Sequence, residues 1–490
     1  MKKLLLLTLA LMLCLPTFAA CGESRENADL PPEQQNSAAA TVPEIAAEAE
    51  PAEETAFASP ELPEDADFGG TTFTVIYPNW SLYEFYLSSE ELNGEVMNDA
   101  MVLRNQTVDE RLNVEITFIT KGYIDTILAE VKSAVSAGDG VYDMAVTHCI
   151  NGLQGLLSSA LIYDWNRIPY VDLTKPYWNQ SILEQLTIAG VTPFAASDLL
   201  IADPNVVWFN NDIATDAGIG NIYDMVLDGS WTVDRMTELC DRAIVDLNGD
   251  GKMNAKDQYG VCGNDGWPMI SFMYGCDQFV AEFVDGVPQV ALQTEKAASV
   301  MEKFYKLFCE GDRAYVNSSV NDRYIPFETY HALFYYMSLS SMEQYRTTEV
   351  DYGIVPFPKY DENQKEYVSL NWTGLQCVPV SCRDTALVGM VAEELGYESK
   401  KQVLPAYFDN LLDGKIARHD ETRQMLDIIF DTSVYDFGMN FSNQSNFLYI
   451  LPDLMRAKSA DIASYIQKNI KMTTKVYDKV VRAYEALGNE

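Results

Sequence analysis

The 490-residue chain is short of positive charge: 34 lysines and arginines stand against 72 aspartates and glutamates, for a net charge of −38. A surface of that sign repels nucleic acid and anionic lipid, so neither is expected as a partner, and a neutral or cationic ligand suits it better. Histidine is scarcer still. There are only His148, His331 and His419, and no HExxH or zinc-ribbon spacing joins them. Nine cysteines are present without a CxxC pair. Cys14 and Cys21 belong to the N-terminal segment, and the other seven form an odd, scattered set that does not make a disulfide framework. They read as buried thiols acting as small apolar residues. Nucleophile signatures are missing too: no GxSxG, no glycine-rich phosphate loop, no Ser-His-Asp set. No catalytic residue is assigned, and the expectation is a protein that is not an enzyme.

What is present begins with Met1, Lys2 and Lys3, an apolar run from Leu4 to Leu15, and the small residues Ala19 and Ala20 before Cys21. That is the order of a bacterial export signal, here residues 1–20, and the run is shorter than the roughly 20 residues a bilayer crossing needs. Phe-Ala-Ala-Cys resembles the lipobox of bacterial lipoproteins, in which the cysteine takes a diacylglycerol on sulfur. Cys21 is therefore the expected lipidation site, and the outer face of the cell membrane the expected location. Ordinary cleavage after Ala20 is the alternative, with Cys21 a bystander. From Glu23 to Asp67 thirteen carboxylates face one basic residue, Arg25. Such a segment buries too little apolar surface to offset its ordering entropy, so residues 21–66 are expected to be a disordered acidic tether. Flexible-chain scaling gives it a reach of roughly 35–40 Å. The signal carries two lysines and the tail a net −12, which leaves −28 on the remaining body.

Beyond the tether, Thr71–Ile76 is rich in β-branched residues and reads as a strand, followed by the turn Tyr77-Pro78-Asn79-Trp80. A helix is expected from about Glu95 to Arg111 and a strand at Val114–Ile119. Ile124, Ile127, Leu128, Val131 and Val135 recur at the spacing of one buried helix face, which Gly138 ends; Tyr142–Val146 is the next strand. This βαβαβ order predicts a mostly parallel sheet covered by helices. A second α/β region opens with a strand at Val206–Phe209. Two helices follow, one N-capped by Thr232 and one starting near Thr294. The pattern from Asp351 to Val380 is strand-like again, and the rest is mainly helical.

Two local patterns carry chemistry. In Asp246–Asp257, DLNGDGKMNAKD, oxygen-bearing side chains stand at loop positions 1, 3, 5, 9 and 12, namely Asp246, Asn248, Asp250, Asn254 and Asp257. Gly251 occupies position 6, where a sharp turn needs positive φ, and Lys252 would add its backbone carbonyl. The match resembles an EF-hand or dockerin calcium loop with Asp in the last place, and a structural Ca²⁺ is the one expected cofactor; a polar Asx-Gly turn is the plainer alternative. The seven tryptophans (80, 165, 178, 208, 231, 267 and 372) mostly neighbour Pro, Gly, Asn or Asp, on the loops and strand ends where open α/β sheets bind ligands. Aromatic faces stack on the apolar faces of sugar rings, and each tryptophan serves core packing equally well.

The lipobox, acidic tether and βαβαβ unit are followed by VVWFNND (Val206–Asp212), GSWTVDRM (Gly229–Met236), DLNGDGK and DQYG (Asp257–Gly260). In that order they resemble an extracellular solute-binding protein of an ABC importer, in the maltose-binding-like, sugar-carrying family. Val350–Gly374 is similar to that family's return segment to the first lobe, and Gly414–Gly438 to a C-terminal helical region. The resemblance implies a two-lobed periplasmic-binding-protein-like α/β fold of type II, with a ligand cleft between lobes. Lobe 1 would hold residues 67–199 plus 371–404, and lobe 2 residues 200–370 plus 405–490. It implies a monomer that captures a small solute, a neutral sugar or oligosaccharide, and delivers it to ABC permease subunits. Carried onto this chain, the candidate ligand contacts are Asn79, Trp80, Thr147, His148, Trp208, Trp231, Trp267 and Trp372. The rival from another class is a surface glycan-degrading enzyme or glycan-adhesion module, since two carboxylates brought together in space are enough for glycoside hydrolysis.

Overall fold

A computed structural model describes residues 57–80, 87, 91–317, 327, 329, 331–341, 349–412, 420–442 and 446–489. The export signal, Cys21 and most of the acidic tail lie outside the described residues. The strands, in chain order, are β1 (Thr71–Tyr77), β2 (Val114–Thr120), β3 (Met144–Thr147), β4 (Asn205–Asn210), β5 (Tyr259–Gly263), β6 (Ala281–Val284), β7 (Val287–Val290), β8 (Ala314–Val316), β9 (Ala332–Ser338), β10 (Tyr352–Val355), β11 (Ser369–Leu370), β12 (Leu375–Cys377) and β13 (Ser433–Val434).

Two sheets organise them. The first has the order β12-β3-β1-β2, with β1 parallel to both β2 and β3 and β12 antiparallel to β3. The expected βαβαβ unit is its centre, and its helices are Val96–Leu112 and Ile127–Ala137. The second sheet has the order β10-β4-β9-β5-β8. It is mixed rather than mostly parallel: β5 runs parallel to β8 and β9, whereas β4 is antiparallel to β9 and β10. The exceptions follow one rule. In each sheet the reversed strand is the one the chain enters directly from the other lobe, β4 after residues 199–204 and β12 after residues 371–374. An entering strand must run away from the junction, while the others run toward it. The carboxyl ends of β1, β2, β3, β5 and β9 therefore all face the junction, which is where open α/β sheets place their ligands.

Helix starts obey the sequence. Thr232 Oγ1 accepts from the Arg235 amide at 3.2 Å, and Thr294 Oγ1 from the Ala297 amide at 3.1 Å, so both helices are capped by a side chain standing in for a missing carbonyl. Gly138 takes φ +65°, a left-handed conformation that ends its helix at no steric cost.

Two boundaries differ from expectation. Residues 57–66, placed in the tether, lie on the first lobe: the Phe57 ring is 5.2 Å from that of Tyr397, and Arg111 donates to the Pro63 carbonyl at 2.8 Å. The acidic composition hides these few apolar anchors. Residues 405–490, assigned to lobe 2, are shared between the lobes. Helix Leu404–Leu412 packs on Val96–Leu112 of the first lobe, and helix Asp420–Asp431 packs on β10 of the second. The last helix, Ile462–Asn489, touches helix Leu153–Ser158 of the first lobe and β7 of the second. Its C-terminal end docks on the first lobe, where Tyr484 donates to the Leu186 carbonyl at 3.0 Å and Arg167 to the Gly488 carbonyl at 2.6 Å. A cation at a helix C-terminus also meets the negative end of the helix dipole. Helical periodicity shows that this segment has an apolar face, but not that the face is divided between two bodies.

Candidate functional site between the lobes

Three chain crossings join the lobes: residues 199–205, 369–375 and 432–437. They are laced to one another. Pro204 bridges Asn371, Asn371 Oδ1 accepts from the Asp203 amide at 2.9 Å, and β11 pairs with β13 in parallel. Asn371 also donates through Nδ2 to Ser433 Oγ at 2.9 Å. Two buried carboxylates pin these crossings to the second lobe. Asp203 accepts from Ser340 N and Oγ, both at 2.8 Å. Asp436 accepts from Tyr274 OH at 2.6 Å and from the amides of Val280 and Gly438 at 2.8 and 2.7 Å. Burial pushes both carboxyls up to about 6, with the hydrogen bonds opposing it.

The strand ends deliver a row of rings to this junction. After β1, the chain is held by Lys121 N to Tyr77 O (3.0 Å) and Asn79 N to Gly122 O (2.8 Å), so the β1 and β2 turns are tied to each other. Asn79 is exposed and Trp80 half-buried. After β3 comes His148, 5% exposed, whose ring centroid is 4.9 Å from that of Trp80. His148 Nδ1 accepts from the Ile150 amide at 3.2 Å, which places the ring proton on Nε2. Burial pushes this imidazole down to about 4, so it stays neutral at ordinary pH. On the second crossing, Trp372 lies 6.3 Å from His148 and 5.4 Å from Trp267, the latter edge to face. Trp267 is half-buried and opens helix Trp267–Gly275 after β5. Its approach is fixed by Tyr336, which lies so close to Gly263 that a Cβ there would meet the ring at 2.4 Å, and which donates to the Asn264 carbonyl at 2.9 Å. Arg456 holds Asp265 at 2.9 Å. The row Trp80–His148–Trp372–Trp267 thus starts on the first lobe, crosses the hinge and ends on the second.

Of the expected contacts, Trp80, His148, Trp267 and Trp372 come together, with Asn79 beside them at the rim. Thr147 is buried and spans the strand pair, its hydroxyl 3.4 Å from the Leu375 carbonyl. Trp208 and Trp231 are corrections. Both are fully buried in the second lobe: Trp208 is stacked on Tyr352 at 5.2 Å, and Trp231 is packed on Phe334 and donates to the Pro356 carbonyl at 2.8 Å. Trp165 and Trp178 are likewise core residues, 5.3 Å apart. Proximity of a tryptophan to Gly, Asn or Asp does not separate a strand centre from a strand end. Asn440 was missed. It donates through Nδ2 to the Cys149 carbonyl at 2.6 Å, next to His148, and no local pattern in the sequence marks it.

The Asp246–Asp257 loop lies at the opposite end of β5 from the junction. Its oxygens close the loop on itself: Asp246 accepts from the amides of Gly249 and Gly251 at 2.7 Å, Asp250 from Lys252 at 2.8 Å, and Asp257 from Asn254 at 2.9 Å. Gly251 has φ +76°, as position 6 requires. Among the described residues no group of three or more His, Cys, Asp or Glu is arranged to hold a metal ion. Two open depressions of about 510 and 410 Å³ share Asp277 and Lys296 and lie away from the ring row. Asp277 and Lys296 satisfy each other there at 3.2 Å, while the junction gathers the aromatic faces.

No family model matches the sequence, and no curated protein matches it. Solved structures do match. A cyclo/maltodextrin-binding protein complexed with maltotetraose superposes with TM-score 0.57 at 12% identity, covering 85% of this chain and 97% of that one. A cyclic α-maltosyl-1,6-maltose-binding protein from Arthrobacter globiformis gives 0.54 at 13%, covering 86% and 99%. The chain has the ABC solute-binding-protein fold. An ABC transporter solute-binding protein from Thermotoga lettingae bound with α-D-tagatose gives 0.53 at 13%, covering 84% and 100%. With that fold, the junction described above is the interlobe cleft, and among the described residues no helix is long and apolar enough to cross a membrane.

Proposed function

We propose that this protein is the substrate-binding subunit of an ABC importer, lipid-anchored through Cys21 outside the bacterial cell membrane, and that it captures a neutral sugar or oligosaccharide. The observation that carries the reading is the ring row, which puts a half-buried tryptophan from each lobe at either end of a cleft whose central imidazole is uncharged. Aromatic faces suit the apolar faces of sugar rings, and a platform on each lobe lets one ligand favour closure over the open state. Solved proteins of this fold hold maltotetraose and tagatose, which supports the same ligand class. The acidic tail gives the lipid-held body reach toward permease subunits. Calorimetry of the soluble body against a panel of glycans, amino acids and peptides tests the reading. A glycan is expected to bind and to be recovered intact. If sugars are silent while a peptide or amino acid binds, or if labelled oligosaccharide is cleaved, the reading is overturned.

In this reading the Asp246–Asp257 loop takes a structural calcium ion, on the strength of the spacing of its oxygens. Calcium is then expected to raise the melting temperature of the parent and not of the Asp246→Ala, Asp250→Ala double variant. Equal melting with and without chelator removes the calcium assignment and leaves the cleft untouched.

A further inference from the structure

The second-lobe platform enters its helix without a side-chain cap. Trp267 is the first residue of helix Trp267–Gly275, and its N-cap, Gly266, has no side chain to accept from the first turn. The segment before it is held from outside instead. Arg456, the last residue of helix Ile450–Arg456, grips Asp265 twice: Nε donates to the carboxylate oxygen Oδ2 at 2.9 Å, and Nη2 to the backbone carbonyl at 3.0 Å. Its Nη1 donates to Asp453 Oδ1 at 2.8 Å, and Asp453 Oδ2 accepts from Tyr465 OH of the last helix at 2.7 Å. The guanidinium is therefore fixed on both sides. Helix Ile450–Arg456 also packs against helix Trp267–Gly275.

We propose that Arg456 is a positioning residue for the Trp267 platform: its two-pronged grip on Asp265 sets where the indole face stands in the cleft. The proposal rests on the receptor reading above and moves outside the cleft, to a residue that acts only through Trp267. A rigid fork that binds both the side chain and the carbonyl of one residue restricts rotation between them. It thereby fixes the direction in which the chain enters the helix two residues later. Upstream, Tyr336 OH holds the Asn264 carbonyl at 2.9 Å. The bend that follows is tight, since a Cβ at Gly266 would stand 2.5 Å from Asn264 Oδ1, and it passes the direction on to Trp267. An aromatic platform works only at contact distance and in the right plane, so a small change in entry angle costs affinity. Stability is a separate matter. The Arg456 side chain is half exposed, and an ion pair there adds little to folding.

The test is a double-mutant cycle on the soluble body. Arg456→Met, Trp267→Ala and their combination are compared in binding of the glycan found by calorimetry. Arg456→Met is expected to melt near the parent and to bind about fivefold more weakly, but to cost less than about twofold once Trp267 is replaced. Arg456→Lys keeps the cation without the fork and is expected to bind as weakly as Arg456→Met. Parent-like binding by Arg456→Met or Arg456→Lys overturns the proposal. So does an equal loss with and without the Trp267 ring, and each of these results leaves the receptor reading standing. A second readout needs no ligand. The Trp267 indole N–H resonance, assigned as the signal missing from Trp267→Ala, is expected to shift in Arg456→Met more than the signals of the core residues Trp165 and Trp178. If calorimetry finds no glycan, the receptor reading falls and this signal alone decides the positioning role; an unmoved Trp267 signal overturns it.

Discussion

Replacing Asp436 by alanine is expected to destabilise the folded body by about 3–5 kcal/mol, the cost of withdrawing one member of a buried charged network. Tyr274 OH and the amides of Val280 and Gly438 all donate to this carboxylate in the core. Each donor left without an acceptor costs about 1–3 kcal/mol. Asn in place of Asp keeps one acceptor oxygen but presents an N–H₂ to groups that already donate, so Asp436→Asn should fall between parent and alanine. Urea denaturation measures the series.

The same carboxyl makes stability depend on pH. In the folded state Asp203 and Asp436 are both pushed up to about 6 from the ordinary 3.8 by burial. Folding thus favours their neutral forms. Their contribution is fully present below about pH 4 and is lost as pH rises through 6. His148 acts the other way: pushed down to about 4 from 6.5, it contributes above pH 6.5 and that contribution is lost as pH falls through 4. Asp198 is pushed up to about 6 by burial as well, so three carboxyls gain on acidification and one imidazole loses, and the body should be more stable at pH 5 than at pH 8. Over that window each carboxyl regains about 1.4 kcal/mol and the imidazole gives up about 2 kcal/mol, which leaves a net gain of about 2 kcal/mol. A denaturation midpoint that falls on going from pH 8 to pH 5 would contradict this balance. Asp436→Asn should remove much of the pH 8 to pH 5 gain.

Several of these residues were legible in the sequence and several were not, for physical reasons. Period-2 and period-3.6 patterning placed β1, β2 and the helices between them because each buries one continuous face. The turn Tyr77–Trp80 and the end of β3 followed, since a strand's end is a local property. Trp231 was misplaced because a loop tryptophan just before a helix turns into the core as readily as toward a ligand, and Trp208 because a tryptophan at the centre of a strand and one at its end carry similar neighbours in the chain. Only the direction of the strand relative to the crossing separates them, and β4 is the one reversed strand of its sheet. Asn440 and Asp436 were invisible for another reason. Their partners Cys149, Tyr274 and Val280 lie 156 to 291 residues away, and nothing local announces a bond of that range. Composition likewise averaged over Phe57, whose contact with Tyr397 brings residues 57–66 onto the body.

Removing the outer platforms is expected to have the largest effect on affinity. Trp80→Ala and Trp267→Ala should each weaken binding of the calorimetrically identified glycan by about 2–3 kcal/mol, a factor of roughly 30 to 150, as for tryptophans that dominate other interfaces. The two stand on different lobes with the His148 and Trp372 rings between them, so they share no direct contact. If one ligand bridges both in the closed state, the losses do not simply add. Once the first platform is gone, the ligand no longer favours closure, and the second platform is never brought to it. The double variant should then bind little more weakly than the weaker single variant, and small-angle scattering should show both singles staying open at ligand levels that close the parent. Full additivity, with each single variant still closing, would mean that the ligand sits on the two platforms independently. Trp208→Phe sets the control. It changes a ring stacked on Tyr352 in the second-lobe core and should lower stability without altering the closure response.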